Sequence, residues 1–150
     1  MLEFTIEKAA GMTAVGFRRR FNNETAYREI PKFWEEWMES GRGIMGMFGI
    51  CIDGEGDEFD YWIADRFDPE KGVPEGCEKI GIPGGLWAEF PCRGPLPESL
   101  QSVNTRIWSE WLPDQKDYEL AAGMTLEVYL PPAEDPKDTL SIIRIPIRKK

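Results

Sequence analysis

Phe33–Trp37 reads FWEEW and Ile107–Trp111 reads IWSEW, at an offset of 74 residues (107 minus 33). The same offset, without a gap, sets AGMTA at Ala10–Ala14 against GGLWA at Gly84–Ala88, and Ile6 against Ile80. One W-x-E-W match is weak evidence. One register held from Ile6 to Trp37 indicates a duplicated module.

Each copy predicts the same elements. In the first, Leu2, Phe4 and Ile6 alternate with Glu3, Thr5 and Glu7, the mark of a half-buried strand. The segment Met12–Phe21 extends that strand or bends it past Gly11. Ile30, Phe33, Trp34, Trp37 and Met38 then form one helical stripe, with Lys32, Glu35, Glu36 and Glu39 opposite. Pro31 stands near the helix start or at a kink, and Gly41 is a candidate stop. Strands follow at MFGICI and FDYWIA, joined by the hairpin loop DGEGDE.

The second copy has a strand at LWAEF and a helix entered through Pro95 and Pro97. Its stripe is Leu100, Val103, Ile107, Trp108 and Trp111, and Pro113 ends it. Strands follow at MTLEVYL and LSIIRIPI. The linker is DPEKGVPEG, Asp68–Gly76. The expected fold is α+β, with two tandem, pseudo-twofold β-α-β-β repeats (about 1–68 and 77–150) in one domain of residues 1–150. They should form a curved antiparallel sheet with two main helices and a cleft between the halves.

Composition narrows the chemistry. The 150 residues are 41% hydrophobic and 30% charged, a globular balance. No apolar run reaches the length of a membrane span, and MLEFTIEKAA lacks the basic and apolar regions of a signal peptide, so a cytoplasmic protein is expected. No histidine is present, which excludes Ser-His-Asp and Cys-His catalysis and removes the commonest zinc ligand. Cys51, Cys77 and Cys92 are odd in number and form no C-x-x-C pair, so they read as small apolar fillers. Asp53, Glu55 and Asp57 have calcium-like spacing, but Glu58 and Ala64 stand where an EF-hand needs Gly and Glu. A solvated acidic hairpin is the better reading, and neither a metal nor a cofactor is expected. NET at Asn23 means nothing without secretion, and GIPGG lacks the Lys-Ser/Thr ending of a phosphate loop.

Two features point to a ligand. The chain has six tryptophans, four of them paired on the two helices as Trp34 with Trp108 and Trp37 with Trp111. They are either core residues or, for at least one in each helix, walls of the cleft. In Met124–Leu130, Leu126, Val128 and Leu130 share one face, and Glu127 and Tyr129 share the other. Glu127 is either a surface carboxylate on a half-wet strand or a carboxylate in an aromatic cleft, where a ligand cation would offset its burial.

The stretches AVGFRRRF, IPKFWEEWME, FDYWIA, VPEGCEKIGIPGGLWAEFPCRGPLPESLQSV, IWSEWLP, YEL and LEVYLPP span nearly the whole chain in order. In this order the sequence resembles the GyrI-like small-molecule-binding domain, which is also the effector-binding domain of many AraC-family transcriptional regulators. The resemblance implies a cleft that takes hydrophobic, often cationic, small molecules, with Glu127 of LEVY inside it. Tyr61, Tyr129, Trp34, Trp37, Trp108 and Trp111 lie on the elements that line such pockets. AraC-type regulators carry an N-terminal helix-turn-helix region that has no counterpart here, so the chain is expected to be either a stand-alone member or a piece excised from such a regulator, the latter with a DNA-binding domain or partner protein outside this chain.

The leading expectation is therefore a binding module for an amphipathic cation. The alternatives are a hydrolase using Glu127 with Tyr61 or Tyr129, and a gyrase-inhibitor-like protein-binding module. Direct nucleic-acid binding is not expected. Lys and Arg cluster only at Arg18–Arg20 and at the C-terminus, and net charge is −9. In fluorescence anisotropy at physiological salt, the chain should show no salt-sensitive duplex DNA complex tighter than about 10⁻⁶ M, the tight end of the non-specific range.

Overall fold

The computed structural model describes residues 2–40, 46–131 and 133–150. Gly41, the candidate helix stop, lies outside them. The first half contains β1 (Thr5–Ala9), β2 (Met12–Asn22), α1 (Ala26–Ser40), β3 (Phe48–Asp53) and β4 (Glu58–Arg66). The second contains β5 (Glu78–Ile82), β6 (Gly85–Arg93), α2 (Glu98–Arg106), β7 (Tyr118–Leu120), β8 (Met124–Tyr129) and β9 (Leu140–Lys149). α2 continues through a π-helical turn, Ile107–Trp111, into a last turn, Leu112–Asp114, so the helix runs on past Pro113.

The order is thus β-β-α-β-β in each half, one strand more than the sequence pattern predicts, with the short β7 added in the second. The extra strand arises where the chain bends at Gly11 and at Gly84. β1 pairs with β6 of the other half, and β5 pairs with β2, so the halves exchange their first strands. The exchange keeps the 74-residue register: Ile6 faces Ala88, and Ile80 faces Ala14.

All the strand pairs are antiparallel, in the order β1-β6-β9-β8-β3-β4-β2-β5, with β7 on the end of β9. β1 and β2 stand six places apart in that order yet are joined by only Ala10 and Gly11. Six spacings in a flat sheet are about 29 Å, whereas two linking residues reach about 11 Å. β5 and β6 meet the same conflict. The sheet must roll until its ends meet, and Gly11 and Gly84 form the meeting point. A Cβ on Gly84 would sit 2.7 Å from the Gly11 backbone nitrogen.

One face of the rolled sheet carries a cluster in which Phe48, Ile50 and Leu126 from the middle pack with Trp62, Trp87, Ala14 and Ile82, and with Met12 and Ala9 from the ends. The other face carries the helices. α1 sets Ile30, Phe33, Trp34 and Trp37 over Phe21, Phe59, Tyr61 and Ile63. α2 sets Leu100, Ile107 and Trp111 over Ala88, Phe90, Ile143 and Ile145. Met38, read as part of the α1 stripe, is 63% exposed, because the helix leans onto the sheet through Phe33 and leaves its last turn outside.

Gly84→Ala should cost roughly 1–3 kcal/mol, the usual penalty for overpacking against a contact that cannot yield. Gly81→Ala, with nothing within 4 Å of the new methyl, should be near neutral. Urea midpoints of the two variants provide the comparison.

Candidate functional site

One continuous row of the sheet runs from one helix-covered cluster to the other. Phe17, Ile63, Gly49, Glu127, Ile143 and Phe90 are successive cross-strand partners, all on the helix face. Glu127 stands in the middle of this row, on β8 where the halves join. Tyr61 on β4 and Tyr129 on β8 flank it from the rows on either side.

The three side chains meet. Tyr61 donates its phenol hydrogen to Glu127 Oε1 (2.5 Å), and Tyr129 donates to the same oxygen (2.6 Å). Trp34 donates its indole N–H to the Tyr61 phenol oxygen (2.9 Å), giving a relay from Trp34 through Tyr61 to Glu127. The Trp34 ring stands edge-on to Tyr129, with centroids 5.0 Å apart, and edge-on to Trp37 at 5.7 Å.

Glu127 is 9% exposed. Burial of a carboxylate costs several kcal/mol, and each charge-assisted hydrogen bond returns about 1.5–3 kcal/mol. Burial wins: it holds the Glu127 carboxyl above its ordinary range, with the two phenols pulling the other way. Burial first, and then the Glu127 charge, push both tyrosines well above their ordinary value, so both remain hydrogen donors at neutral pH. The Cys51 thiol, beside Tyr61, is pushed up by burial and then by Glu127, and Cys92 is pushed up to about 11 for the same reasons. Neither is a thiolate nucleophile at neutral pH.

The glycine facing Glu127 was not singled out in the sequence. A Cβ on Gly49 would overlap both Glu127 Oε1 and the Tyr61 hydroxyl. The available signal was a glycine inside the apolar strand FGICI, a position where another group commonly approaches the backbone. Gly46, at φ +72°, plays a related part, since a Cβ there would lie 2.8 Å from Trp37 and 3.1 Å from Trp34.

The structure brings together four of the seven residues singled out in the sequence: Glu127, Tyr61, Tyr129 and Trp34. Trp37 stands behind Trp34. Trp111 points into the second cluster, edge-on to Phe90 (4.9 Å) and Phe4 (5.2 Å). Trp108 is 37% exposed and donates to Asn104 of its own helix. Among the described residues, no cluster of carboxylates and thiols could hold a metal ion, and no helix is long and apolar enough to cross a membrane.

The chain belongs to the Cass2 family of integron-associated effector-binding proteins, whose profile it matches over residues 5–147. This agrees with the GyrI-like resemblance read from the sequence. It also makes the chain a binding protein rather than an enzyme, so the hydrolase reading falls away.

Among solved structures, SAV2435 bound to tetraphenylphosphonium shares the fold at TM-score 0.82 and 18% identity, covering 98% of this chain and 94% of that one. An integron cassette protein from the mobile metagenome of Vibrio cholerae does so at TM-score 0.73 and 18% identity, covering 97% and 95%. The transcriptional regulator BrlR of Pseudomonas aeruginosa is 28% identical in an alignment of 111 positions that covers 67% of this chain and 38% of that protein. The chain therefore spans well under half the length of that regulator.

Gly49→Ala should push the Glu127 carboxylate and the Tyr61 phenol apart. The expected result is loss of their hydrogen bond and a cost of about 1–3 kcal/mol in stability. Tyr61→Phe in the Gly49→Ala background should recover part of that loss in thermal denaturation, because it removes one of the two overlapping groups.

Proposed function

We propose that this chain is a receptor domain for a hydrophobic small molecule carrying positive charge, bound at the place where Trp34 meets Tyr61, Tyr129 and the Glu127 they hold. One observation carries the reading. Glu127 is a buried carboxylate whose hydrogen-bond partners, among the described residues, are two neutral phenols on one oxygen. A fixed negative charge without a cation is costly in an apolar setting. A ligand cation would offset that cost, and the surrounding rings would add cation–π attraction.

The solved relative carrying tetraphenylphosphonium, a lipophilic cation, supports this chemistry. The match to BrlR supports a regulatory role, in which this domain senses the ligand and a separate DNA-binding domain acts on the operator. The soluble, acidic character of the sequence favours a cytoplasmic setting. The gyrase-inhibitor alternative has no residue-level support in the site.

Calorimetric titration of the wild type and Glu127→Gln with tetraphenylphosphonium and a neutral aromatic dye tests the reading. The cation should lose about 1.5–3 kcal/mol, and the neutral dye should be nearly unaffected. Equal losses would show that Glu127 acts through structure alone, and no loss for the cation would remove it from the site.

The pH dependence has a definite sign. Because the Glu127 value is raised in the folded protein, its contribution to stability is full below its ordinary value of 4.5 and is lost as pH rises through the folded value. Affinity for the cation should run the other way and weaken as pH falls through that same folded value. Glu127→Gln should flatten both curves.

A further inference from the structure

Trp34 makes the contacts that a ligand would be expected to make. Its indole N–H satisfies the Tyr61 oxygen at 2.9 Å, its ring meets Tyr129 at 5.0 Å, and it is linked to the buried carboxylate through the Tyr61 hydroxyl. The helix that carries it is lightly held. Of the residues in α1, only Phe33 is fully buried, and Pro31 interrupts the hydrogen-bond ladder three residues before Trp34. Trp34 itself is half-buried, packed on Trp37 and on the edge of the cluster that α1 covers.

We infer that Trp34 is an intramolecular occupant of the effector site, standing in for a planar aromatic ligand that carries an N–H donor, and that such a ligand binds by displacing it. The inference rests on the cation-binding reading of the Glu127 site and adds to it the ligand's shape and its hydrogen-bonding face. A planar protonated arylamine can repeat both Trp34 contacts, the N–H to Tyr61 and the ring against Tyr129, while bringing the charge that Trp34 lacks. Self-occupancy also sets a threshold. The apparent affinity is reduced by the fraction of molecules in which Trp34 has left the site, so removing the occupant strengthens binding, whereas removing a wall weakens it.

The test uses 9-aminoacridine, planar and cationic with N–H donors, titrated into the wild type, Trp34→Ala and Trp34→Phe. If Trp34 vacates the site in about one molecule in ten, Trp34→Ala should bind about tenfold more tightly. Trp34→Phe, which keeps a ring and loses the N–H, should show a smaller gain of the same sign, and its sign decides the matter should Trp34→Ala fail to fold. Weaker or unchanged binding in the folded variants overturns the inference, because Trp34 would then be a wall or a bystander.

A second readout uses the wild type. Saturating 9-aminoacridine should speed hydrogen–deuterium exchange of the Trp34 indole N–H by freeing it from Tyr61; slower exchange would mean that the ligand docks beneath Trp34, and would overturn the inference. Glu127→Gln placed in the Trp34→Ala background separates the two claims. If it leaves 9-aminoacridine binding unchanged, the cation reading fails. If it weakens binding while Trp34→Ala alone brings no gain, only the occupancy of Trp34 fails.

Discussion

The structure depends on two very short crossovers. Ala10–Gly11 and Pro83–Gly84 each tie strands that lie six places apart in the sheet. A flat sheet cannot satisfy either link, so the sheet rolls and its ends meet where Gly11 and Gly84 touch. Rolling encloses one face around Ile50, Leu126, Trp62 and Trp87, and leaves the other to be covered by two helices that do not merge into one layer. The middle of the row that joins them, Gly49 and Glu127, is the place that neither helix-covered cluster absorbs. The site is a consequence of closing the sheet.

Glu127 is tolerated there because its neighbours are arranged to receive it. Gly49 removes the one methyl group that would block the Tyr61–Glu127 contact. Tyr61 and Tyr129 supply hydrogen atoms without charge, which lowers the cost of the carboxylate but does not cancel it. A cationic side chain in place of either phenol would cancel the charge. Two phenols on one oxygen keep Glu127 oriented and electrostatically unfinished.

The two halves began alike and have separated in use. Trp34 and Trp108 hold equivalent places in the sequence repeat, yet Trp34 reaches Tyr61 whereas Trp108 turns to its own helix. The π-helical turn at Ile107–Trp111 accompanies this difference. An extra residue in that turn rotates the following side chains relative to α1, and Trp111 becomes a core residue against Phe90. One helix therefore serves the site, and the other anchors its half of the sheet.

The sequence by itself determined the repeat, the apolar stripes of both helices and the side of β8 on which Glu127 and Tyr129 stand, because each is a local periodicity written in side-chain polarity. It could not show the exchange of β1 and β5, since EKIGI is short, opens on two charged residues and pairs with a strand of the other copy. Nor could it pair Tyr61 with Glu127, which are 66 residues apart, or reveal why Gly49 must lack a side chain. Those depend on the register between β3, β4 and β8, and register is settled only when the rolled sheet brings the strands together and one face must be buried. Burial then turned an ordinary glutamate on an alternating strand into a carboxylate held between aromatic rings.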